Sequence, residues 1–205
     1  MKLAIASDLH LEFADIELEN TENADVLILS GDIMVARDLL VDVTMYGHGV
    51  GTRSQRFHDF FQIVTGRFKH VVYVLGNHEH YHYDFKYTVS DLKKNLEHIP
   101  RLHILDKECV DIDGVRFIGG TLWTDMNKED PITLHAMTRM MNDFRCVKNS
   151  NREVHFKDQE GKFHTRVATF CPEDAVEDHR KMLDYIKVVY DHNIPTVVVG
   201  HHSPS

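Results

Sequence analysis

The stretch HVVYVLGNHE (70–79) decides the fold of this chain: an apolar, β-branched run stops at a glycine and then presents an amide, an imidazole and a carboxylate in consecutive positions. Such a run suits an interior strand covered on both faces. Gly76 lets the backbone turn sharply, so that the side chains after it come close to the strand end. Three further apolar runs close in the same way: KLAIAS (2–7) leads into DLH at 8–10, VLILS (26–30) into GD at 31–32, and TVVVG (196–200) into HH at 201–202. In layered α/β sheets, ligands gather beyond the carboxyl ends of the strands. Asp8, His10, Asp32, Asn77, His78, Glu79 and His201 are therefore predicted to converge on one rim. That mixture of carboxylate, amide and imidazole suits Mn²⁺, Fe or Zn²⁺ better than thiolate-preferring metals.

Between the strands, Phe57, Phe60, Phe61 and Val64 recur at helical spacing within 54–68, with Gly66 as a stop. Helices are also predicted over 84–98, 131–143 and 172–193, the last opening with Pro172 and acidic residues as helix N-termini do. Residues 101–123 read as short strands joined by a hairpin turn at Asp113 and Gly114. This alternation is the pattern of layered α/β architecture. Residues 144–170 are polar without a clear period, and are predicted to be an irregular insertion in a single domain spanning 1–205.

A chain of 205 residues can bury one substantial core, and its 42% hydrophobic and 27% charged residues are ordinary for a globular protein. The net charge of −9 leaves no broad basic surface, so nucleic acid is not a favoured partner. No apolar stretch approaches a bilayer span and Asp8 breaks the N-terminal run too early for a signal peptide, so no membrane partner and a cytoplasmic location are expected. Cys109, Cys146 and Cys171 fit neither a disulfide framework nor a CxxC site, which leaves nitrogen and oxygen to hold any metal. Of the 16 histidines, the ten scattered over helices and loops are mostly expected to face solvent or to be hydrogen-bonded. The exception is HEHYHY (78–83), where His80 is a candidate for the substrate mouth beside His78. Arg37 is a candidate phosphate contact. Loops 33–53 and 144–170 are expected to carry specificity.

In order, DLH, GD, GNHE and a strand followed by His resemble the motifs of the calcineurin-like metallophosphoesterases, from Asp8 to His201, and GGTLWTD (119–125) is similar to phosphohydrolase members. The resemblance implies an αββα four-layer sandwich, two mixed sheets packed together with helices outside, and a two-metal site at one edge. Carried over by position, Asp8 and His10 bind the first metal, Asp32 bridges both, and Asn77 and His201 bind the second. His78 is implied to be catalytic, oriented by Glu79, and Asn77 and His78 are expected toward the substrate together with the candidates His80 and Arg37. Two divalent ions are implied, Mn²⁺ first with Fe or Zn²⁺ as alternatives. The implied reaction is hydrolysis of a phosphomonoester or phosphodiester by in-line attack of a metal-bridging hydroxide. A nuclease of the same superfamily and a non-catalytic metal-binding or scaffold domain are the alternative readings. The family's GHxH motif, which supplies one ligand to each metal, has no counterpart in 1–205, so the domain is expected to lack its C-terminal part.

Overall fold

Four apolar runs pair side by side as β1 (Leu3–Ala6), β2 (Val26–Ser30), β3 (His70–Val74) and β4 (Leu102–Leu105), in that order and parallel throughout. A computed structural model describes residues 1–40 and 47–203, and of 47–52 the backbone alone. The part of the expected specificity loop over 41–46 lies outside the described residues. Helix α1 (Gly47–Arg67) joins β2 to β3, and α2 (Phe85–Leu96) joins β3 to β4. α1 begins before the predicted 54, where the sequence GHGVG offers no periodic signal. The N-cap of α2 is Asp84, whose side chain accepts the Lys86 amide hydrogen.

The second sheet holds β5 (Glu108–Ile112) and β6 (Val115–Gly119), an antiparallel hairpin, with β9 (Thr196–Val199) parallel to β6. Its two-residue turn is Asp113 and Gly114, both at positive φ as the tight primed turn requires. Before β9, the chain makes a single turn, α3 (Met126–Glu129), whose four residues all have positive φ. It then makes α4 (Pro131–Met140), the turn α5 (Asp143–Cys146), β7 (Lys148–Lys157), β8 (Phe163–Thr169) and α6 (Pro172–Val189). β7 and β8 form a separate antiparallel ribbon, which corrects the irregular reading of 144–170.

Alternation along the strands sorts the layers. Leu27 and Leu29 of β2 and Val71 and Tyr73 of β3 pack on one side with Phe57, Phe61 and Val64 of α1 and Leu92 and Leu96 of α2. The intervening Val26, Ile28, Val72 and Val74 pack on the other side with Ile112, Phe117 and Val199 of the second sheet. Ile118, on the opposite face of β6, packs with Met182 of α6. The order is helices, parallel sheet, mixed sheet, helix, the expected αββα sandwich, though among the described residues the first sheet is parallel throughout where a mixed one was expected, and each fully buried large side chain contributes about 1.5–3 kcal/mol. Among the described residues, no helix is long and apolar enough to cross a membrane.

Candidate metal centre

Because β1, β2 and β3 are parallel, their carboxyl ends lie at one edge, and the loops leaving them are tied together by backbone. The Asp8 N–H donates to Gly31 O (3.0 Å), that of His10 to Asp32 O (3.1 Å) and that of Leu11 to Ile33 O (2.9 Å). These bonds hold Asp8, His10 and Asp32 at φ of 56°, 46° and 53°, the left-handed region that L-residues rarely adopt. Glycines permit the approach. A Cβ on Gly76 would lie 2.2 Å from Asp32 Oδ1, and one on Gly31 would lie 2.6 Å from the His201 ring.

Ligand-capable atoms of Asp8, His10 and Asp32 lie within 4.8 Å of one another. On another side of Asp32, His201 Nε2 stands 3.5 Å from Asp32 Oδ1 and 3.2 Å from Asn77 Oδ1. The other ring nitrogen, His201 Nδ1, lies 2.8 Å from the Ser30 carbonyl, which can only accept, so Nδ1 carries a proton. The Nε2 lone pair is then turned toward two oxygen acceptors, a meeting that a cation satisfies, whether a proton or a metal. Two oxygens and an imidazole nitrogen, with Asp8 and His10 beyond Asp32, form a donor set that fits Mn²⁺, Fe or Zn²⁺.

Surrounding residues orient this set. Asn77 Nδ2 donates to the Tyr81 hydroxyl (3.5 Å), which donates to Asp143 Oδ2 (3.3 Å), leaving Asn77 Oδ1 for His201. The Thr121 carbonyl accepts the amide hydrogens of His201 and His202 (3.2 Å each), and Trp123 stacks on His202 at 4.9 Å. The GGTLW segment thus supports the last histidine.

His78 sits beside the cluster, its amide N–H donating to Asp32 Oδ1 (2.8 Å). Its ring meets His10 edge-on at 4.4 Å and stacks on Tyr81 at 4.2 Å. A hydrogen bond to Glu12 raises the His78 pKa against the opposing effect of burial, with Asp32 adding to the rise. Burial alone would raise Glu12, but the histidine bonds hold it low.

Two sequence expectations are corrected. Glu79 does not orient His78. It is fully buried, and its carboxylate accepts Asp32 N–H (3.1 Å), Ile33 N–H (2.8 Å), Gly76 N–H (2.7 Å) and the Tyr73 hydroxyl (2.7 Å). It fastens the loop after β2 to the loop after β3. Burial and Asp32 push the Glu79 pKa up while these donors oppose the rise. His80 does not line a substrate mouth with His78: its ring is buried against Phe85 at 4.8 Å, and burial drives its pKa down to about 4. Arg37 does share a cleft with His78, about 630 Å³ in volume and also lined by Glu12, Phe13, Tyr81 and Tyr83. Nothing in the sequence singled out Glu12 or Asp143, whereas Tyr81 and Tyr83 of HEHYHY do line the cleft with His78. Glu12 stood next to the DLH motif, but a side chain defined by its partners leaves no signal in spacing.

The model of the calcineurin-like phosphoesterase family matches residues 1–204. An uncharacterized protein of Acanthamoeba polyphaga mimivirus is 22% identical over 98% of this chain and 68% of its own length. Among solved structures, the phosphopantetheinyl hydrolase of Mycobacterium tuberculosis superposes with a TM-score of 0.59 at 16% identity, over 98% of this chain and 68% of that one. With the strand-end motifs, the sandwich and the family model in agreement along nearly its whole length, this chain belongs to the calcineurin-like phosphoesterases.

Proposed function

We propose that this chain is a dinuclear metal-dependent phosphoesterase. The observation that carries the reading is the meeting of His201 Nε2, Asn77 Oδ1 and Asp32 Oδ1, with Asp8 and His10 grouped around the same Asp32. Asp8, His10 and Asp32 would hold one ion, and Asp32, Asn77 and His201 the other. When bound, two divalent ions make hydroxide available near neutral pH and neutralise phosphate oxygens. Mn²⁺ is the first choice for this oxygen-rich set, with Fe or Zn²⁺ as alternatives. His78, whose proton is retained by Glu12 and the nearby acidic charge, donates it to the leaving oxygen. Arg37 gives the cleft beside His78 a fixed cation for a phosphate or a second anionic group of the substrate.

The test begins with metal analysis of the purified protein. Mn²⁺-supplemented assays follow on a nitrophenyl phosphomonoester, a bis-nitrophenyl phosphodiester and a phosphopantetheinyl ester, the last chosen because the structural neighbour is a phosphopantetheinyl hydrolase. Turnover on at least one ester, reduced to background by Asp32→Ala and by His78→Ala, is the expected result. Metal bound without turnover on any ester, or full activity in Asp32→Ala, overturns the reading.

A further inference from the structure

Glu12 lies two residues past His10 and is only 7% exposed. Its Oε1 stands 3.2 Å from His10 Nδ1 and 3.2 Å from His78 Nδ1. Its Oε2 is buried with no partner among the described residues. Burying a carboxylate costs several kcal/mol unless its lone pairs are met. Here the histidine contacts all fall on one oxygen, both from rings placed at the candidate centre. Leu11, its neighbour in sequence, belongs to the core beneath α1, so an apolar side chain is accommodated one position away. A carboxylate buried at this position acts on the two rings.

We propose that Glu12 is a positioning residue shared by His10 and His78. A carboxylate can only accept, so each Nδ1 that meets Oε1 carries a proton. In His10 this leaves the lone pair on Nε2, available to a cation, and ligating histidines are commonly held this way by a carboxylate at the other ring nitrogen. In His78 it fixes the ring by its Nδ1 edge while Tyr81 covers one face at 4.2 Å, leaving Nε2 as the atom that meets substrate. One side chain thereby sets the mutual angle of a ligand and a proton donor, whose rings stand 4.4 Å apart and 72° inclined. The His78 half rests on the phosphoesterase reading. The His10 half rests on ligand chemistry alone.

Three measurements on the full chain decide the matter. Long-range ¹H–¹⁵N spectra of the metal-free protein at alkaline pH are expected to show His10 and His78 as Nδ1–H tautomers, reverting toward Nε2–H in Glu12→Ala. Titration with Mn²⁺ is expected to show about a 10-fold or greater loss of affinity in Glu12→Ala. Glu12→Gln, whose amide oxygen still accepts, should recover most of that loss. With Mn²⁺ saturating, kcat is expected to fall by about 10- to 100-fold with KM little changed. The fall should be larger on an alkyl phosphate than on a nitrophenyl ester, whose leaving group needs no proton. Nε2–H tautomers in the wild type, or unchanged Mn²⁺ affinity and equal losses on both esters in a folded variant, overturn the proposal. If Glu12→Ala fails to fold, Glu12→Leu, which nearly keeps the volume of the side chain but cannot accept from either ring, is compared with the wild type by the tautomer and kcat measurements. Wild-type values in both then overturn the proposal. Failure of the phosphoesterase reading would appear separately, as absence of turnover in the wild type. The tautomer and affinity results still decide Glu12 in that case.

Discussion

At the scale of single residues, Glu79 is the clearest case of a side chain whose sequence position suggests chemistry and whose surroundings assign it construction. Two backbone amides from the loop after β2 (Asp32, Ile33), one from the loop after β3 (Gly76) and the Tyr73 hydroxyl all converge on its two oxygens. Glu79→Gln would turn an amide NH₂ against some of those donors. The expected cost is about 2–5 kcal/mol of stability, read from urea unfolding, since a buried polar group would be left unmatched. A loss under about 1 kcal/mol would show that the loops hold each other without it. The gathering of Asp8, His10, Asp32, Asn77 and His201 at one edge was legible in the sequence because each follows closely on an apolar run. Glu12 and Asp143 were not: His78 meets Glu12 across 66 positions and Tyr81 meets Asp143 across 62, and nothing local announces such partners.

At the scale of elements, the central strands β2 and β3 were readable because both of their faces are covered, which leaves continuous apolar runs. The ribbon of β7 and β8 was not. Most of its side chains face water, with Phe163 73% exposed, so no buried and exposed alternation marks it out. Only its base is fixed. Val147, Ala168 and Phe170 are buried there, and the Lys148 N–H donates to Tyr83 O (2.9 Å) next to the cleft. Joining Val154 to Arg166, which are paired in register, through a two-residue turn is therefore expected to shift the thermal midpoint by no more than about 3 °C. Thermal unfolding followed by circular dichroism checks this, and a collapse of the fold would show that the ribbon supports the core.

At the scale of the whole molecule, two histidines make stability depend on acidity. Burial lowers His80 and His202 to about 4, whereas unfolded histidine titrates near its ordinary value of about 6.5. Between those values the unfolded chain binds more protons than the folded one, so stability falls as pH falls through that window. For His80 the loss is at most about 3 kcal/mol. Unfolding free energies measured from pH 7 down to 4 should show the decline, and His80→Leu should flatten it. An unchanged slope in that variant would place the acid sensitivity elsewhere.

The reach of His201 also bears on the order in which the molecule assembles. Its Nδ1 meets Ser30 across 171 positions and its Nε2 meets Asn77 across 124, whereas β1 to β4 pair in sequence order. Contacts between distant positions form slowly, because a long loop must close before they contribute. The parallel sheet can thus present Asp8, Asp32 and Asn77 while the last imidazole is still to arrive. In refolding experiments with Mn²⁺ present, metal capture is expected to lag the recovery of the far-ultraviolet signal, making ion uptake a clock for the docking of β9.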